Sequence, residues 1–299
     1  MNHDDGFTRY RLKNNYHERT IKIQDHHVKK FLNWCIKQNI NPGNISYNEA
    51  LKFIDHEISR NQNSVSITRT INSIKIYFDY LEKNKAVQHN IIRRIKLRNE
   101  GKKALPELLT AQQLEAIYKN FGNVPRWRYK TTRETLLHQR NAVILGLLVY
   151  QGLDSGEIAK LERQHVNFKE GNIYIPSGRR SNARTLKLQA DQVLPFKTYI
   201  EETRPGLLKK LNEQTPYLFP AKKYSCMICN IVEKARRINP ELKDSSQIRS
   251  SVIMNWLKTN NIRQVQYMAG HKSIRSTEHY RKQDLTDLIM QLELFHPLK

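Results

Sequence analysis

From Thr20 onward apolar residues return at helical spacing. Ile23, His27, Phe31, Leu32, Cys35 and Ile36 share one face of a first predicted helix. Asn41-Pro42-Gly43-Asn44 breaks it. Ser46, with Glu49 three residues later, spells a capping box for a second helix carrying Leu51, Phe53, Ile54 and Ile58. After a polar turn at 61–64, Ile67, Ile71, Ile74, Phe78 and Leu81 mark a third helix. A short fourth helical segment runs from Val87 through Ile91 to Ile95. The pattern predicts an all-α bundle over residues 20–98, preceded by a polar, aperiodic and flexible arm at 1–19.

Residues 99–106 hold little that could be buried and read as a basic linker, with a second domain over 107–299. Thr110 and Gln113 form another capping box, leading a helix with Leu114, Ile117 and Tyr118. The stretch 141–151 is almost wholly apolar, as a central buried helix would be, and Gly152 ends it. A further helix is expected near Ser155, burying Ile158 and Leu161. Residues 172–176 and 185–188 alternate as strands around a polar turn, predicting a hairpin. Beyond Pro220 the pattern is helical again to about Leu294. The expected fold class is mainly α: an N-terminal helical bundle followed by a mixed α+β domain with a small antiparallel sheet.

Charge changes the picture. The 299 residues carry 51 Lys and Arg against 28 Asp and Glu, a formal +23. Residues 1–100 hold 18 basic and 10 acidic groups, and the remainder is basic too, so the charge is not confined to a tail. Such a field calls for a polyanionic partner, and nucleic acid is the first candidate. The longest apolar run, 142–150, is far too short to span a bilayer, so no membrane partner is expected. The opening MNHDDGFTRYRLKNN lacks the apolar segment of a secretory signal, and three cysteines make no disulfide framework; both fit the cytoplasm. Cys226 and Cys229 form a lone C-x-x-C with no further ligands at zinc spacing, so their segment reads as a helix burying Met227, Ile228, Ile231 and Val232.

Three segments carry candidate chemistry: 149–161 (VYQGLDSGEIAKL), 246–250 (SQIRS) and 267–280 (YMAGHKSIRSTEHY). Together they resemble the catalytic domain of the tyrosine recombinases, the phage integrase family. The third segment is the most specific, with Gly270-His271, Ser273-Ile274, Thr277, and Tyr280 nine residues after the histidine. The first domain is similar to that family's core-binding bundle. The resemblance implies a tyrosine hydroxyl that attacks a DNA phosphodiester, leaving a 3′-phosphotyrosyl bond and a free 5′-hydroxyl, with no metal and no other cofactor. It assigns Tyr280 as nucleophile, Arg249 as the family's second arginine and His271 as the phosphate-binding histidine. It also implies duplex DNA as partner and a tetrameric synapse on paired sites. Leu285, Leu288, Ile289, Leu292 and Leu294 give residues 284–295 an apolar stripe able to dock on a neighbouring subunit or on its own domain.

The chemistry alone explains why such residues are needed. A tyrosine near its ordinary pKa of ~10 must lose its proton to attack. Without a metal, guanidinium groups must stabilise the charge gathering on the phosphorane.

Three positions depart from the pattern. Asp154 stands where the family's first arginine is expected, Arg179 matches the hairpin lysine, and Ser246 replaces the histidine that begins the His-x-x-Arg motif. Loss of one charge-stabilising donor typically slows such a reaction by ~10²–10³. Arg140, Arg180, Arg184 and Arg275 lie close enough in sequence to compensate, and Asp154 is expected to pair with a nearby cation. Glu157 is expected to cap or buttress locally. Phosphate contacts are expected from Arg93, Arg94, Lys96, Arg98, Lys102 and Lys103 along the linker, and from Arg180 and Arg184 in the hairpin. Three functions remain open on sequence: a site-specific recombinase or integrase of a mobile element, an impaired relative acting as a DNA-binding or architectural protein, and a type IB topoisomerase-like enzyme.

Overall fold

In a computed structural model the chain folds into two units, Met1–Ala104 and Leu105–Lys299. The structure describes residues 3–60, 63–95, 97, 107–123, 131–179, 181–212, 214–221 and 223–280. In the first unit, α1 (His3–Lys13), α2 (Glu18–Lys37), α3 (Tyr47–Ser59) and α4 (Ser64–Lys83) surround one core. All five predicted α4 residues are buried in it. The Ser46–Glu49 capping box forms as expected. Phe31 of α2 meets Phe53 of α3 edge-on, with ring centroids 5.1 Å apart.

Three expectations for this unit are corrected. Residues 3–13 are a helix rather than a flexible arm, because Phe7 packs edge-on against Tyr77 and the Arg11 guanidinium is wholly buried. That guanidinium donates to the Phe7 and Ile21 carbonyls and pairs with Asp25 at 2.5 Å. The inward face of α2 is Ile21, Gln24, Val28, Phe31, Trp34 and Cys35, while Ile23 and Ile36 are exposed. A partly polar seam through Gln24 and Trp34 outweighed the aliphatic positions. The segment after Val87 is a 3-10 turn, Ile91–Arg94, not a fourth α-helix. Asn90 leaves it uncapped by donating instead to the Lys75 carbonyl and Asp79 of α4.

The second unit is built on α6 (Thr132–Gln151), which follows α5 (Ala111–Gly122) with its Thr110–Gln113 capping box. Residues 143–149 of α6 are all buried. Gly152 ends the helix at φ +57°, where a β-carbon would crowd Val252. One turn of helix, α7 (Ser155–Ile158), comes next. Strands β1 (Val166–Asn167), β2 (Asn172–Ile175) and β3 (Arg184–Lys187) form an antiparallel sheet in that order, with Ile173 opposite Leu186 and Ile175 opposite Arg184. The predicted hairpin is thus present, with one short strand added.

Among the described residues five complete helices follow, α8 (Ala190–Thr198), α9 (Arg204–Leu211), α10 (Tyr224–Arg236), α11 (Ser245–Thr259) and α12 (Ile262–Ala269), and residues 275–280 are helical as well. A π-helical turn, Tyr199–Thr203, joins α8 to α9. On α10, Met227, Ile228, Ile231 and Val232 are buried, and both cysteines are exposed. Among the described residues no helix is long and apolar enough to cross a membrane. The apolar stripe at 284–295 lies outside the described residues.

Candidate active site

Glu157 is the hub of the site. It occupies the third position of α7, and its buried carboxylate holds two guanidinium groups. Arg184 of β3 donates through Nη1 to Oε1 at 2.7 Å, and Arg249 of α11 through Nη1 to Oε2 at 3.0 Å. Burial alone would raise the Glu157 pKa, but the Arg184 hydrogen bond and the two positive charges hold it below the ordinary carboxylate value.

Both arginines then reach the C-terminal end of α12. Arg184 Nε donates to the Met268 carbonyl at 2.7 Å, and Arg249 Nη2 donates to the Ala269 carbonyl at 2.7 Å. The last carbonyls of a helix lack intrahelical partners and carry partial negative charge, so two cations belong there. Arg249 Nη1 also donates to the Gly152 carbonyl at 2.5 Å, tying the site to the end of α6.

The same helix end positions the remaining groups. Gly270 caps α12 at φ +69°, a left-handed conformation that suits glycine. Its carbonyl accepts from the Asn182 N–H at 2.8 Å, and Ser181 forms a β-bridge with His271, so the hairpin turn is clipped to the segment that begins with the histidine. His271 Nδ1 lies 2.8 Å from the buried Thr277 hydroxyl. Burial, reinforced by Arg249 and Arg184, pushes the His271 pKa down to about 4, so the ring is neutral at pH 7. Tyr280 lies parallel to it, with ring planes 5° apart and centroids 6.2 Å apart. Its ring also packs against Ile253, Val265 and Ala269.

Asp154 does not pair with a cation as expected. Its Oδ1 accepts from the Gly156 and Glu157 N–H groups, each at 2.8 Å, and its own N–H donates to Glu157 Oε2 at 3.0 Å. This is a capping box, and it gives Glu157 its place. The Asp-x-x-Glu spacing was the available signal. Glu157 is therefore more than a local buttress.

Arg184 is likewise corrected. Expected on a DNA-facing surface, it is buried, because Glu157 and the end of α12 surround it. Arg140 turns away to the Pro220 carbonyl and Asn141. Arg275 is exposed at the start of the helical segment, 275–280, that carries Tyr280, and Arg180 lies outside the described residues.

The other expected positions are placed as follows. Arg179 is exposed in the hairpin turn. Ser246 is exposed on the first turn of α11, three residues before Arg249. Lys160, which the sequence reading passed over, donates to the Ser177 carbonyl at 3.2 Å and so brings an ammonium to the base of that turn. Thr277, named above only as part of the motif, takes a place in the site through its contact with His271 Nδ1. Arg93 pairs with Asp79 at 2.7 Å while remaining largely exposed, and Arg94 is exposed. Lys96, Arg98, Lys102 and Lys103 lie outside the described residues. Among the described residues no cluster of three or more His, Cys, Asp or Glu could hold a metal ion.

Known proteins are similar to this chain in sequence and in fold. Residues 107–286 match the phage integrase family. The tyrosine recombinase XerC of Anoxybacillus flavithermus is 23% identical over 282 residues, covering 90% of this chain and 88% of that protein. The tyrosine recombinase XerD of Chlorobaculum tepidum is 24% identical over 297 residues, covering 96% and 93%. Among solved structures, the XerH site-specific recombinase bound to a palindromic difH substrate superposes with a TM-score of 0.68 at 17% identity, covering 92% of this chain and 80% of that one. A lambda integrase dimer bound to a COC′ core site gives 0.61 at 15% identity, covering 92% and 94%.

Proposed function

The chain belongs to the phage integrase family, and on that premise we propose that it is a site-specific DNA recombinase that cuts and rejoins duplex DNA through a 3′-phosphotyrosyl bond on Tyr280. One observation carries the assignment of residues. Arg249, His271 and Tyr280 converge on the C-terminal end of α12: Arg249 on the Ala269 carbonyl, His271 just past the Gly270 cap, Tyr280 stacked on His271.

In this reading the Tyr280 oxygen attacks the scissile phosphorus and its proton is lost. The phosphorus–5′-oxygen bond breaks, and that oxygen leaves as a 5′-hydroxyl after taking up a proton. Arg249 has its Nη1 and Nη2 anchored to protein acceptors, which fixes the plane of its guanidinium before DNA arrives. His271, neutral at pH 7, donates one hydrogen bond from Nε2 to a non-bridging oxygen while Thr277 holds Nδ1. Arg179 adds positive charge from the turn. Ser246 supplies a hydroxyl donor in place of an imidazole. Duplex DNA is the partner, the cytoplasm the place of action, and a tetramer on paired sites the working assembly.

The test is a nicked duplex carrying the target site, in which cleavage frees a short fragment and strands the enzyme on DNA. Wild type gives a protein–DNA adduct on a denaturing gel and Tyr280→Phe gives none. No adduct from wild type on a verified site overturns the proposal.

A further inference from the structure

We infer that Arg184 is a positioning residue for strand cleavage: it takes up one oxygen of the Glu157 carboxylate, so that Arg249 presents an undiminished positive charge to the scissile phosphate even though Asp154 occupies the place of a first arginine. The inference rests on the recombinase reading above and adds a residue to it.

The argument begins with charge. Arg249 and Glu157 alone would be a neutral pair, with the carboxylate drawing the guanidinium's field away from any phosphate. Arg184 on the other carboxylate oxygen makes the trio net positive. Its side chain is fully buried, and that of Glu157 nearly so, so water screens their interaction little. The connection is direct, Nη1–Oε1 at 2.7 Å on one side and Nη1–Oε2 at 3.0 Å on the other, through one rigid carboxylate.

A second observation concerns the third nitrogen. Arg184 Nη2 is buried without a hydrogen-bond partner among the described residues. A side chain kept only to tie β3 to α12 would not need a buried donor left over, since Nε already makes the tie to the Met268 carbonyl. The charge is what the site retains. The Arg184 field also reaches His271, where it helps keep the ring neutral. Of the other arginines that could have compensated, Arg140 is engaged at Pro220, Arg275 is exposed and Arg180 lies outside the described residues; Arg184 is the one seen on Glu157.

The experiment compares Arg184→Lys, Arg184→Met, Glu157→Gln and the double variant Arg184→Met/Glu157→Gln in the nicked-duplex assay. Each is first checked for wild-type affinity on an uncut site. Arg184→Met should slow cleavage by about 100-fold. Arg184→Lys should retain at least tenfold more activity than Arg184→Met, because the charge is kept and the fork lost. The double variant restores the net charge of the trio without the arginine and should recover at least tenfold over Arg184→Met.

A role in packing alone predicts the opposite: lysine no better than methionine, and the double variant no better than the single. That result would overturn the inference. A readout without DNA guards against loss of fold. The His271 imidazole, followed by NMR, should titrate higher in Arg184→Met than in wild type, and an unchanged titration in a folded variant also counts against the inference. Absence of a wild-type adduct would count against the recombinase reading, whereas the His271 titration tests the electrostatic role independently.

Discussion

Replacing Asp154 by arginine would bring a positive charge to the start of α7, beside the proposed site, yet the structure predicts harm. Asp154 Oδ1 accepts from two N–H groups at 2.8 Å, and its own N–H holds Glu157 Oε2. A helix of one turn has little else to define its start. Loss of such a cap costs about 0.5–2 kcal/mol. A cation at a helix N-terminus adds about 0.3–1 kcal/mol against the dipole. Asp154→Ala should therefore cost about 1 kcal/mol, Asp154→Arg about 2 kcal/mol, and Asp154→Asn almost nothing, because asparagine caps as well as aspartate. In a domain of this size each kcal/mol is worth about 2–4 °C. Thermal denaturation should then show the second unit's transition lowered by about 2–4 °C in Asp154→Ala and about 4–8 °C in Asp154→Arg. In the nicked-duplex assay Asp154→Asn should cleave within about threefold of wild type, while Asp154→Arg should be slower because Glu157 has lost the backbone donor that orients it. Faster cleavage by Asp154→Arg would show that the site lacks a positive charge that Arg184 does not supply, and the reasoning would fail.

Phe7→Ala should loosen the N-terminal helix from the first core at a cost of about 3 kcal/mol, seen as faster hydrogen exchange in α1 and in the facing turns of α4; unchanged exchange would contradict the packing. His271 should remain neutral in the free protein until the pH approaches about 4, by NMR titration. An unfolded histidine protonates near pH 6.5, so this residue contributes stability that is complete above 6.5 and lost as pH falls from there toward 4; His271→Gln should flatten that part of the stability profile. Gly270→Ala should damage both stability and cleavage, since its β-carbon would strike the Arg184 guanidinium and strain a φ of +69°. Wild-type cleavage by that variant would show that Arg184 is free to move.

Much of the architecture was legible wherever one face of an element is plainly apolar. The α4 series from Ile67 to Leu81, the wholly buried middle of α6 and the hairpin strands all followed from period. Legibility failed where burial is polar. Helix α1 is anchored by one phenylalanine and an arginine whose partners lie at Ile21 and Asp25, beyond its own sequence window. On α2 the buried Gln24 interrupts the aliphatic count and hides the true face.

The site shows the same division. Tyr280, His271 and Arg249 stand in short motifs whose spacing is local. The pairing of Arg184 with Glu157 spans 27 residues, and its bond to the Met268 carbonyl spans 84, so neither leaves a periodic trace. The Asp154 cap did leave one, as Asp-x-x-Glu, but a position that invites comparison with arginine draws attention to charge rather than to backbone donors.

The central claim is that Tyr280 becomes covalently joined to DNA. Its most direct measurement is mass spectrometry of the trapped adduct after protease and nuclease digestion. The account predicts a nucleotide linked through its 3′-phosphate to the peptide containing Tyr280, with a free 5′-hydroxyl on the released strand. A linkage to another residue, or a 5′-phosphate linkage, would contradict it.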